Sequence, residues 1–217
     1  MIITVFGDVH GNLIALEKLF EIEKNKTDIF ICHGDVVNYG PWSNECVNFL
    51  NEISNCSVLK GNHESYFIDG SYAGKNIIAK TSFKFCYQNF DNSLKSLINN
   101  YENEIIIEDY TVKHTIDNHY IFGDTDLSKI EINTNYIIGH SHQQFKRSKN
   151  EFKLYNTGSL GQNRQFLNQS CYLKFDTEKK SIELKSFLHE ANKVISQMKA
   201  MNYPAICIDY YLSKKQL

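Results

Sequence analysis

Three short apolar runs in the first sixty residues each end in a glycine followed by a polar residue suited to bind a cation. Ile2–Phe6 leads into Gly7-Asp8, Ile29–Cys32 into His33-Gly34-Asp35, and Ser57–Leu59 into Gly61-Asn62-His63. Asp8 and Asp35 are 27 residues apart, and so are Asp35 and Asn62. Between the runs, residues 12–23 carry Leu13, Leu16, Leu19 and Phe20 at helical spacing with Asn12 as N-cap, and residues 44–53 carry Val47, Leu50 and Ile53. The interval is close to the ~30 residues of a βαβ unit. The segment therefore predicts β-α-β-α-β, a parallel sheet with helices packed on it. Ligands of open α/β sheets bind at the carboxyl ends of strands, where each glycine-polar pair falls. Turns after strands also favour Gly, Asp and Asn for conformational reasons, so spacing alone does not separate a site from a set of turns.

Residues 64–101 read as helical and aromatic, with Tyr66, Phe67, Tyr72, Phe83, Phe85, Tyr87, Phe90 and Tyr101 as core of ordinary helices or as a cap over a site. Beyond residue 103 the pattern changes to short strands at 105–107, 111–114, 120–122, 136–138, 152–155, 171–175 and 182–187. A helix over 190–201 follows, and Pro204 starts another. The change near 103 reads as a change of sheet, and residues 1–217 as a single domain. Hydrophobic residues make up 42% of the chain and charged residues 22%, as in globular proteins.

A net charge of −2 excludes a broad basic footprint for nucleic acid. The six cysteines form no C-x-x-C and are expected to be reduced. The opening residues lack a basic n-region, and no apolar run approaches the ~20 residues of a membrane helix. These features lead us to expect a cytoplasmic protein without a membrane partner.

Five polar groups follow one another: Asp8-Val9-His10, Gly34-Asp35 through Gly40-Pro41, Gly61-Asn62-His63-Glu64, His114, and Gly139-His140-Ser141-His142. Carboxylate, imidazole and amide donors without thiolate suit Mn, Fe, Zn or Ni. Residues two apart in an extended segment point the same way, so Asp8 with His10, and His140 with His142, can each share a cation.

This order resembles the calcineurin-like metallophosphoesterase family, over D-x-H … G-D-x-x-[D/N]-x-G … G-N-H-[D/E] … H … G-H-x-H across residues 8–142, and more weakly through Asn156-Thr157-Gly158-Ser159. Gly34–Pro41 looks like its small single-domain branch. The resemblance implies an α/β fold, a four-layer α/β/β/α sandwich of two mixed β-sheets flanked by helices. It implies two divalent ions, Mn2+ first with Fe, Zn or Ni as alternatives. Asp8, His10, Asp35 and His142 would bind one, and Asp35, Asn62, His114 and His140 the other. Asp35 would bridge the ions. His63 would bind no metal and would stabilise the transition state or protonate the leaving group. The implied reaction is hydrolysis of a phosphodiester or phosphomonoester of a small molecule or nucleotide by direct attack of a metal-bridging hydroxide. Two carboxylates and a hydroxide leave about one positive charge on two divalent ions, so neutral histidines and Asn62 preserve attraction for a phosphate oxygen.

The alternative reading is a catalytically inactive scaffold, which typically has lost the His of Asn-His or a ligand; here all are present. Asn38-Tyr39 stands where the protein-phosphatase and dinucleotide-tetraphosphatase branches carry Asp-Arg, and Thr157 replaces a usual Pro. Arg164 falls near a position where the branch often has Arg, which makes it a substrate-binding candidate with Asn62 and His63. His33 is expected in the core or behind the ligands, His119 at the start of a strand away from the site, and His189 in solvent.

Overall fold

Alternation along one strand decides which faces are covered. In β1 (Ile2–Phe6), Ile3 and Val5 enter one apolar cluster and Phe6 another on the opposite side. β2 (Ile29–Cys32) runs parallel to β1, from Ile3 opposite Ile29 to Phe6 opposite Cys32, and divides the same way. The computed structural model describes all 217 residues and places them in two five-stranded mixed sheets. The first sheet adds β3 (Cys56–Val58), β9 (Gln169–Asp176) and β10 (Ser181–Leu188), in the order β10-β9-β1-β2-β3. The second contains β4 (Glu104–Ile107), β5 (Tyr110–Lys113), β6 (Asn135–Ile138), β7 (Gln144–Lys149) and β8 (Phe152–Thr157), in the order β4-β5-β6-β8-β7.

Ile3, Val5, Ile31, Val112, Ile137, Tyr155, Leu173 and Phe175 fill the space between the sheets. The outer face of the first sheet is covered by helices α1 (Leu13–Glu23), α2 (Ser43–Glu52), α3 (Asn62–Asp69), α4 (Ile77–Gln88), α5 (Leu94–Asn99), α6 (Ala191–Ala200) and α7 (Ala205–Leu212). Asn12 caps α1 as expected, its side chain accepting from the Ala15 amide. Residues 116–132 cover the outer face of the second sheet through Ile116, Ile121, Leu127, Ile130 and Ile132, with one 3-10 turn at Leu127–Lys129. The fold is thus an α/β/β/α sandwich whose fourth layer is mostly irregular chain. No helix is long and apolar enough to cross a membrane, and all six cysteines are free.

Two expectations change, and one strand lies outside those expected. Residues 120–122 form no strand; they belong to the irregular chain packed over the outer face of the second sheet, with Ile121 buried in its cluster. β7 has no expected counterpart, since QFKRSK carries no run of apolar alternation; it is an edge strand, where charge is common. His189 is buried at 7% exposure rather than solvated. Its Nε2 accepts from the Asn12 amide at 3.1 Å and its Nδ1 donates to Ser170 Oγ at 2.9 Å, while Asn12 also donates to the Gly161 carbonyl. The imidazole thereby ties the start of α1 to β9, and Asn12 ties it to the 158–163 loop.

Burial lowers the His189 pKa to about 4. Between pH 6.5 and 4 the unfolded chain therefore binds a proton that the native state refuses, and stability falls as pH falls. Urea denaturation of chelator-treated protein across this window should show a shallower fall for His189→Gln than for the wild type. The difference should be at most about 1.4 kcal/mol per pH unit. Equal slopes would show that His189 titrates alike in both states.

Candidate metal centre

The strand ends carry the expected residues into one place by leaving strand geometry. Asp8, His10, Asp35, His140 and His142 all have positive φ, between 48° and 68°, a region costly for residues other than glycine and concentrated at functional sites. Hydrogen bonds between loops hold the conformation: the Asp8 amide donates to the Gly34 carbonyl, His10 to Asp35, and Gly11 to Val36. Ser159 Oγ donates to the Asp8 carbonyl, and the Asn156 amide donates to the Gly139 carbonyl and Ser141 Oγ. A Cβ on Gly61 would lie 2.2 Å from Asp35 Oδ1, so that approach requires glycine.

Inside the cluster, acceptor atoms face acceptor atoms. His10, His114 and His142 direct Nδ1 at the carbonyls of Val37, His33 and Gln162, at 3.2, 3.2 and 2.7 Å. Each Nδ1 therefore carries a proton, and in the neutral ring each Nε2 is left with a lone pair. Yet His10 Nε2 lies 3.1 Å from His142 Nε2, and 3.9 and 3.8 Å from oxygens of Asp8 and Asp35. His114 Nε2 lies 3.1 Å from Asn62 Oδ1, 3.2 Å from Asp35 Oδ2 and 3.0 Å from His140 Nδ1. Asp8 Oδ1, 3.4 Å from His142 Nε2, is buried without a hydrogen-bond partner. Lone pairs packed together in this way repel unless a cation lies among them, so the donor set fits divalent metal. Asp8, His10 and His142 form one group of converging donors; Asp35, His114 and His140 form another.

The electrostatics agree. Burial raises Asp8 to about 7 and lowers His10 and His140 to about 3. Burial also opposes protonation of His114, but the adjacent Asp35 carboxylate overrides it and brings His114 to about 9. Without a cation, a proton on His114 balances the buried carboxylates, and a bound cation would take over that charge.

His63 differs from the other site histidines. Its Nδ1 accepts from Asn38 Nδ2 at 2.9 Å, which leaves the proton on Nε2, 3.9 Å from Asp35 Oδ2. Its Nε2–H is a donor within the same buried cluster.

The structure brings together Asp8, His10, Asp35, Asn62, His63, His114, His140 and His142. His119 stays exposed, outside the cluster. His33 is fully buried, with Nε2 donating to Thr157 Oγ1 at 2.8 Å, a bond that proline at 157 could not provide. Arg164 is exposed at the mouth of the cleft above the cluster. Sequence reasoning assigned no role to Glu64 beyond its place in a motif. Its buried carboxylate accepts from four backbone amides: Asp35 and Gly61 on Oε2, both at 2.8 Å, and Val36 and Val37 on Oε1, at 2.8 and 3.2 Å. An acidic residue three positions into a helix whose cap is glycine was the available signal.

Glu64→Gln turns one acceptor oxygen into an amide group aimed at backbone donors. Each buried donor left unsatisfied costs about 1–3 kcal/mol. The expected result is a lowered melting temperature and reduced metal content, read by thermal denaturation and elemental analysis. Unchanged values for both would show that the carboxylate does not hold the Asp35 turn.

The comparisons with known proteins point the same way. A family model described as calcineurin-like phosphoesterase matches residues 1–157. An uncharacterized protein of Methanocaldococcus jannaschii is 29% identical over 228 residues, covering 90% of this chain and 91% of its own. The crystal structure of a metallophosphoesterase from Sphaerobacter thermophilus superposes with a TM-score of 0.79 at 20% identity, over 98% of this chain and 99% of that one. A hypothetical protein from Pyrococcus horikoshii superposes equally well, TM-score 0.79 at 13% identity over 97% of each chain. The chain belongs to the calcineurin-like phosphoesterase family.

Proposed function

We propose that this protein hydrolyses phosphoester bonds of small molecules or nucleotides with two divalent cations held in the cluster. The observation that carries the reading is the pair of close nitrogen approaches, His10 to His142 at 3.1 Å and His114 to His140 at 3.0 Å, on either side of Asp35. In this reading Asp8, His10, Asp35 and His142 hold one cation. Asp35, Asn62, His114 and His140 hold the other, with Asp35 shared. Bound cations of this kind lower the pKa of water and attract phosphoester oxygens.

The chain's own residues supply the rest. Asn38 keeps His63 in the tautomer with Nε2–H pointing into the site, and burial lowers its pKa. His63 then acts as a neutral hydrogen-bond donor to a phosphate oxygen as charge builds there. Asn62 and His63, adjacent in sequence, face different partners: the Asn62 oxygen is 3.1 Å from His114 Nε2, and His63 is held by Asn38. Arg164, on the loop between β8 and β9, is the guanidinium available to grip a phosphate where Tyr39 replaces the arginine of other branches.

The direct test is a panel of phosphomonoesters and phosphodiesters against Mn2+-loaded protein, with and without chelator. Turnover that chelator abolishes is expected. No turnover on any ester, or turnover indifferent to chelator, would overturn the reading. His63→Ala should keep its metal content and lose about 10²–10⁴ in kcat. Asp35→Asn should lose both metal and activity. A His63→Ala protein short of one metal would make His63 a ligand.

A further inference from the structure

The cleft above the cluster is walled by tyrosines from separate parts of the chain. On one side, Tyr66 of α3 meets Tyr72 of the following loop, ring centroids 4.8 Å apart and edge to face. Both lie beside the His63 ring, at 5.6 and 6.0 Å. Another wall is Tyr120, whose ring lies 3.9 Å from that of His140 at an interplanar angle of 31°, with Phe122 nearly parallel to it. The Arg164 guanidinium carbon is 5.6 Å from the Tyr120 ring centre. Tyr39 and Tyr210 also line this cavity of about 520 Å³, which reaches Asn62 and His140 at its floor.

These rings are not ordinary core. Phe67, Phe83 and Phe90 of the same region are buried in the helix-side core; Tyr66 and Tyr72 pack against that core but remain partly exposed to the cleft, and Tyr120 is 51% exposed. Tyr120 keeps a flat face next to a candidate metal-binding histidine, in a segment that forms no strand. Among the lining residues only Lys75 and Arg164 are cations, and Arg164 is the one beside an aromatic face. The cleft thus offers anion-binding chemistry at its floor and π-faces on its walls. Aromatic rings stack offset or edge-on at centroid separations of about 4.5–7 Å, and a guanidinium adds cation–π attraction.

We propose that this cleft selects phosphoesters whose ester group carries a flat aromatic ring, an aryl group or a nucleobase. The ring is held by Tyr66, Tyr72 and Tyr120, and Arg164 contacts the phosphate. The proposal rests on the phosphoester reading of the floor. It assigns Tyr66, Tyr72 and Tyr120 as specificity residues.

The test is equilibrium binding to Mn2+-loaded protein of phenylphosphonate and cyclohexylphosphonate, two non-hydrolysable probes that differ in flatness. The expected preference for the phenyl compound is about tenfold, within the range of ring-stacking contributions. Tyr120→Leu and Tyr72→Leu should bring the ratio of the two affinities most of the way to one, and Tyr120→Phe should retain the preference. Arg164→Met should weaken both probes alike. AMP and ribose 5-phosphate as competitors separate the sources. An AMP advantage assigns the ring to a nucleobase, and parity with the phenyl preference intact assigns it to a simple aryl group. Binding of both phosphonates without preference, or a preference that survives both leucine variants, overturns this proposal alone. Failure of both phosphonates and of inorganic phosphate to bind overturns the phosphoester reading and this proposal together.

Discussion

One carboxylate that faces away from the reaction space sets the geometry of the groups that face into it. Glu64 accepts backbone amides from the turn after β2 and from the turn after β3. Those turns carry Asp35 and Asn62, a period apart in sequence. Asp35 sits at φ 54°, strained for a residue with a side chain. Four charge-assisted hydrogen bonds to one buried acceptor offset that strain. The Asp35 side chain in turn accepts from the His63 amide at 2.8 Å. Glu64 thus governs where Asp35 points, and Asp35 lies within 4 Å of His10, His63 and His114.

Legibility in the sequence followed the strength of local patterns. The 27-residue interval and the Gly-Asp and Gly-Asn turns placed the first half of the site, because strand ends in a parallel sheet all point to one edge. His140 and His142 were legible as site residues but not as partners on one cation: both have positive φ, and His140 meets His114 while His142 meets His10. His114 was separable from His119 because the apolar alternation of β5 ends at His114. What could not be read was determined by distant partners. His189 looked like a helix-opening surface residue, but Asn12 and Ser170, 177 and 19 residues away, enclose it. Tyr120–Phe122 has strand composition, yet it lies in the irregular chain that packs over the outer face of the second sheet, where Ile121 is buried. The return of β9 to lie antiparallel beside β1 depends on which edge of the first sheet is open, and no local pattern announces it.

Histidine tautomers separate roles that residue type alone leaves merged. His10, His114 and His142 each donate from Nδ1 to a backbone carbonyl, so the nitrogen facing the site is an acceptor. His63 has the reverse arrangement because its neighbour is the Asn38 amide. An aspartate at that position would accept from Nδ1–H and support an imidazolium; asparagine instead supports a neutral ring. A single amide in place of a carboxylate at position 38 therefore bears on which proton His63 carries.

The donor set is divided between the two sheets. Asp8, His10, Asp35 and Asn62 come from the ends of the first sheet's strands, while His114, His140 and His142 come from the second. His10 and His142 face each other across 132 residues of chain. A cation bound between them would close a long loop that the unfolded chain rarely closes, in the manner of a clasp. Such a clasp cannot fasten while the chain is being synthesised until residue 142 has emerged, so the first half would fold with its carboxylates and imidazoles still waiting for their counterparts. Metal uptake would then be a late event in the life of the chain and would report that both sheets have met.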